Sequence, residues 1–190
     1  MNFNKHLAYE GKHAFLGASQ YHWLKYSDEK LAKTYRSMLA KEKGTELHEF
    51  AAQCIKLGQK LPKSNKTLNL FVNDAIGFKM KPEVVLFHSE NCFGTADAIS
   101  FRETARPRPI LRISDLKTGV TPAHMEQLEI YAALFCLEYR INPEDIDIEL
   151  RLYQFDECFL HIPEPEVIRT IMNKIVSSNK VVAEIKIEEG

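Results

Sequence analysis

The chain has 190 residues, an apolar fraction of 45% and a formal net charge of −1. That length suits one domain with a real core, and no apolar run approaches the roughly 20 residues of a membrane span. The near-neutral charge argues against a protein that coats nucleic acid passively, and the opening MNFNKHLAYEGKH lacks a signal-peptide centre, so the expected location is cytoplasmic.

The expected organisation is one domain over residues 1–190. A mainly helical part covers 1–80, a sheet with one inserted helix covers 83–161, and a last helix covers 164–180. Residues 28–40 read as a helix with Asp28 at its N-cap and Leu31, Tyr35, Met38 and Leu39 on one face. Gly44 and Thr45 interrupt it. Thr45 then opens a second helix with the apolar stripe Leu47, Phe50, Ala51, Cys54 and Ile55, which Gly58 ends. Residues 67–80 read as a third. Upstream, QYHWLKYS groups Tyr21, Trp23 and Tyr26 with Lys25, and Trp23 is expected in the core. Basic residues crowd this half (Lys25, Lys30, Lys33, Arg36, Lys41, Lys43), which suits either solvated helix faces or a phosphate backbone.

After Pro82 the pattern turns to strands. EVVLFHS and GTADAISF form a hairpin around Glu90–Phe93, ARPRP is a loop, and ILRISDL is a third strand. Thr121-Pro122 starts a helix that runs to about Tyr139, with Leu128, Ala132, Phe135 and Cys136 in the core. DIELRLYQF and ECFLHIP supply two further strands. The EIKIEEG tail is expected to fray. The fold class is therefore α/β or α+β, a small mixed sheet flanked by helices. Cys54, Cys92, Cys136 and Cys158 lie too far apart for a CxxC-type pair and read as buried free thiols, with neither a zinc site nor an iron–sulfur cluster expected.

The chemistry concentrates between Gly94 and Tyr131. Asp97 sits inside an apolar run with small neighbours, and an unpaired buried carboxylate is costly. Asp115 and Lys117 are two apart on a strand, so they share a face. Two carboxylates from neighbouring strands suit a hard divalent cation, and a lysine beside them suits an attacking water or a charged phosphate. Gln127 and Tyr131 are four apart on a helix and lean to one side of it; the amide offers donor and acceptor, and the phenol donates or stacks.

The set Asp97, then Asp115-x-Lys117 inside SDLKTG, then Gln127-x-x-x-Tyr131, preceded upstream by Gly44 and His48 in KGTELHEF, resembles the PD-(D/E)XK nuclease superfamily. Within it the chain is similar to the RecB- and Cas4-like branch, and most like a small phage-encoded exonuclease. The resemblance implies a restriction-endonuclease-like sheet and hydrolysis of DNA phosphodiester bonds, by exonuclease action on linear DNA in phage recombination or DNA processing. It implies Mg²⁺ or Mn²⁺ as cofactor, held by Asp97, Asp115, the Leu116 carbonyl and His48, with Glu46 or Glu49 in reserve. Lys117, Gln127 and Tyr131 complete the catalytic set. DNA is the implied partner, with a homo-oligomer or a partner recombination protein compatible with the family. The alternative is a catalytically silent DNA-end or protein-binding module on the same fold.

Overall fold

The computed structural model describes residues 14–104 and 107–189. Arg106 and Ala105 of the ARPRP loop lie outside the described residues. The chain divides into two compact units, Met1–Lys43 and Gly44–Gly190.

The first unit holds a 3-10 segment, Ala18–Lys25, and the opening turns of helix α1, Asp28–Leu57, whose residues from Gly44 on belong to the second. The cap of α1 is Ser27 rather than Asp28: the Ser27 hydroxyl accepts the Lys30 N–H at 3.3 Å. The apolar face expected on the first half of α1 is not a core face, since Tyr35 and Leu39 are exposed. Trp23 is half-buried rather than core, and its indole N–H donates to the Gly17 carbonyl at 3.1 Å.

The expected break at Gly44-Thr45 does not occur, because α1 runs through both residues. A glycine inside a helix costs about 1 kcal/mol relative to alanine. Here it has a tertiary reason: a Cβ at Gly44 would come within 2.9 Å of the Thr118 hydroxyl. Glycine is what lets the helix approach that loop.

The second unit is a five-stranded sheet in the order β1-β2-β3-β4-β5, formed by β1 Lys81–Ser89, β2 Cys92–Arg102, β3 Ile110–Leu116, β4 Asp147–Gln154 and β5 Glu157–His161. All neighbours are antiparallel except β3 and β4, which are parallel and joined through helix α3, Glu126–Tyr139. The fold is thus mixed α/β, as expected. On one face, α3 and helix α4 (Pro165–Glu189) pack a core of Leu86, Leu111, Ile113, Leu128, Leu150 and Ile168. On the other, the second half of α1 and helix α2 (Thr67–Gly77) pack Ala51, Cys54, Phe71, Val72 and Tyr153. Of the expected α1 stripe, Ala51, Cys54 and Ile55 are buried, but Phe50 is exposed. The cysteines are free; Cys54 and Cys136 are buried, while Cys92 and Cys158 are only half-buried.

Two boundaries shift for physical reasons. Thr121 and Pro122 do not start α3, because the buried Gln154 side chain at the end of β4 straps this segment in an open form. Its amide donates to the Gly119 and Thr121 carbonyls at 2.9 and 2.8 Å and accepts the Ala123 N–H at 2.9 Å. With those backbone groups taken, the helix begins at Glu126. The last helix, α4, runs to Glu189 rather than stopping at 180, and so takes in most of the EIKIEEG tail that was expected to fray. Among the described residues no helix is long and apolar enough to cross a membrane.

Candidate active site

Sheet register assembles the site. Ala98 pairs with Ser114 across β2 and β3, so the next step sets Asp97 opposite Asp115. Pro82 pairs with Ala98, and Val84 with Ala96, across β1 and β2, which sets Glu83 opposite Asp97. Three carboxylates from three adjacent strands thus form one row. The row coincides with a break in strand alternation. Glu83 takes left-handed backbone (φ 53), while Ala96 and Ala98 pack into opposite cores.

His48 reaches the row from α1, with Nδ1 3.3 Å from Asp97 Oδ2. One nitrogen of His48 and one oxygen each of Glu83 and Asp97 lie within 4.8 Å of one another. Asp97 Oδ2 also accepts the Leu116 N–H at 2.8 Å, so Leu116 joins the site through its amide. The expected reserve carboxylates Glu46 and Glu49 are exposed on α1; the one placed beside His48 and Asp97 is Glu83. Sequence reasoning missed it, because the register slips between Phe87 and Ser89, and only the shifted pairing through Phe87–Phe93 and Val85–Thr95 sets it opposite Asp97.

Asp115 lies outside that close group but next to it. Its side chain is 2% exposed, and Lys117 Nζ donates to Oδ1 at 3.1 Å. Oδ2 has the same ammonium at 2.9 Å but outside hydrogen-bonding geometry, which leaves it buried and without a hydrogen bond. Burial first, then the Asp97 charge, pushes the Asp115 carboxyl up to about 6, against the pull of Lys117 and His48. Glu83 is also raised, by burial and by Asp97. The hydrogen bond to Asp97 raises His48, with burial opposing. The cluster therefore carries more negative charge than its own cations settle.

Lys117 is held on both sides. Its ammonium donates to Gln127 Oε1 at 2.8 Å, and Gln127 Nε2 donates to the Tyr131 oxygen at 2.9 Å. The expected pair four apart on α3 thus acts as one arm that fixes the lysine. Tyr131 lies against β2 at Gly94, where a Cβ would come 2.8 Å from its ring. Burial raises the Tyr131 phenol, so it stays protonated and able to donate.

These contacts form two sets, His48–Asp97–Leu116 with Glu83 added and Asp115–Lys117–Gln127–Tyr131, which the β2–β3 register brings side by side. Oxygen donors from the Glu83 and Asp97 carboxylates with one imidazole, and beside them a buried Asp115 oxygen lacking a hydrogen bond, fit a hard divalent cation. No protein-family model, curated protein or solved structure matches the chain.

Proposed function

We propose that the protein is a metal-dependent deoxyribonuclease of the PD-(D/E)XK type, most like a small phage-encoded exonuclease acting on linear DNA. The observation that carries this reading is the row Glu83–Asp97–Asp115 with His48 against its central Asp97 and the Gln127-braced Lys117 against Asp115 at one end. His48, Glu83, Asp97, Asp115 and the Leu116 carbonyl are the groups that would hold Mg²⁺ or Mn²⁺. A bound divalent ion supplies Lewis acidity at phosphate and lowers the pKa of water.

The remaining chemistry belongs to side chains. Lys117 has three N–H donors, and Asp115 and Gln127 engage two of them, which leaves one for a phosphate oxygen or the attacking water. The negative charge that builds on phosphate during hydrolysis meets this fixed ammonium without side-chain reorganisation. Tyr131 holds Gln127, and so acts on the reaction through the lysine.

The test is digestion of linear and nicked-circular DNA with Mg²⁺, with Mn²⁺ and with excess EDTA. Digestion that needs the ion and is abolished by Lys117→Ala is expected. Digestion that persists in chelator, or that Lys117→Ala leaves intact, overturns the proposal.

A further inference from the structure

The β1–β2 hairpin carries a second feature on the strands that hold Glu83 and Asp97. Val84, Leu86 and Ala96 pack toward α3, and Gly94 lies against Tyr131. Strand alternation therefore turns Val85, Phe87, Phe93 and Thr95 to the opposite face. Val85 pairs with Thr95 and Phe87 with Phe93, in the same ladder that places Glu83 opposite Asp97. Val85, Phe87 and Phe93 are 53%, 46% and 60% exposed. The two rings lie side by side, 6.3 Å between centroids and 29° between planes.

A single exposed apolar side chain needs no explanation, but two adjacent rings in line with a carboxylate cluster do. Asp97 lies four positions along the strand from Phe93, about 13 Å at roughly 3.3 Å per residue. A flexible polymer held at the rings therefore passes the cluster along one hairpin face. Bases within a duplex have their faces covered by stacking, whereas an unpaired base offers a bare face to an aromatic ring. The hairpin turn itself carries Glu90 and Asn91, and the Lys186 ammonium of α4 is engaged by the Asn91 side chain, so the rings contribute stacking and not charge.

We propose that Phe87 and Phe93 form a base-stacking platform that leads a single DNA strand to the carboxylate row, so that the substrate is a single strand or a frayed end. This rests on the nuclease reading above. A second copy of the chain seated on the rings would lie along the same face as the row, which makes self-association the competing occupant.

The experiment is fluorescence anisotropy of a labelled oligo(dT) with the full chain in EDTA, for wild type, Phe87→Ala, Phe93→Ala and Phe93→Trp, with circular dichroism and size-exclusion chromatography of each. Stacking predicts a loss of about 5- to 100-fold in affinity for either alanine variant, retention in Phe93→Trp, and an unchanged salt slope, since no phosphate contact is removed. That loss in folded variants supports the platform whether or not the wild type cleaves DNA. Failure of wild type to bind oligo(dT), or alanine variants that bind as wild type does, overturns it. So does a change of oligomeric state with affinity unaltered, which identifies a self-association face. Wild type that cleaves DNA while the alanine variants bind normally sinks the platform alone. Wild type that cleaves with neither Mg²⁺ nor Mn²⁺ sinks the nuclease reading.

Discussion

Replacing Asp115 by asparagine tests the electrostatics of the site through stability. In the metal-free protein the carboxyl titrates at about 6, against an ordinary 3.8, because it is buried and faces Asp97. That gap of about two units, at roughly 1.4 kcal/mol each, means that the ionised carboxylate weakens the fold by about 3 kcal/mol. The sign follows from proton binding. Below the ordinary value both folded and unfolded chains hold the proton, and there is no penalty. Between 3.8 and about 6 the unfolded chain has released it and the folded chain has not, so the penalty grows, and above about 6 it is complete. Asp115→Asn keeps the shape and removes the charge. Part of the gain is offset because Lys117 loses its ionic partner, but that side chain is 29% exposed and keeps contact with water. The expected outcome in EDTA is a variant about 2 kcal/mol more stable than wild type near pH 8, with the advantage gone near pH 4. Urea unfolding at the two pH values measures this. Added Mn²⁺ should reverse the order, because only wild type retains the full ligand set and binding to the folded state adds stability. A variant less stable than wild type by the same amount at both pH values refutes the reasoning.

Glu83→Gln should weaken Mn²⁺ binding by an order of magnitude or more in calorimetric titration, whereas Glu46→Gln and Glu49→Gln should leave it unchanged; equal effects of all three would remove Glu83 from the site. Gln154→Ala leaves the Ala123 N–H and two carbonyls without their partner, and should cost about 1–3 kcal/mol in urea unfolding, with faster amide exchange at Ala123. Unchanged exchange there would argue that the strap does not hold the segment. Gly44→Ala should be neutral or destabilising in wild type, where its Cβ meets the Thr118 hydroxyl at 2.9 Å. In a Thr118→Ala background it should stabilise by up to about 1 kcal/mol, the helix-propensity difference. A gain of the same size in both backgrounds would show that the close approach is not what requires glycine.

Local pattern was enough for much of this molecule. ILRISDL coincides with β3, the hairpin turns at Glu90-Asn91 within the expected stretch while Cys92 and Phe93 join β2, and α3 carries the expected core stripe with Gln127 and Tyr131 beside it. The Asp115-x-Lys117 spacing also put both groups within contact, because direction along a single strand is a short-range property. Glu83 was not legible that way. It belongs to the site only through pairing between β1 and β2, and it looks like any acidic residue at a strand start. Gly44 read as a helix breaker because its local cost is real, yet Thr118, 74 residues on, gives it a reason to stay inside the helix. Thr121-Pro122 read as a helix start until Gln154 claimed the neighbouring backbone groups. Periodicity and spacing along one element determined the strands, the α3 face and the lysine–carboxylate pair. Register between strands, close approach of a helix to a loop, and capture of backbone by a distant side chain were decided by the tertiary structure, since each depends on partners that chain-local energetics do not see.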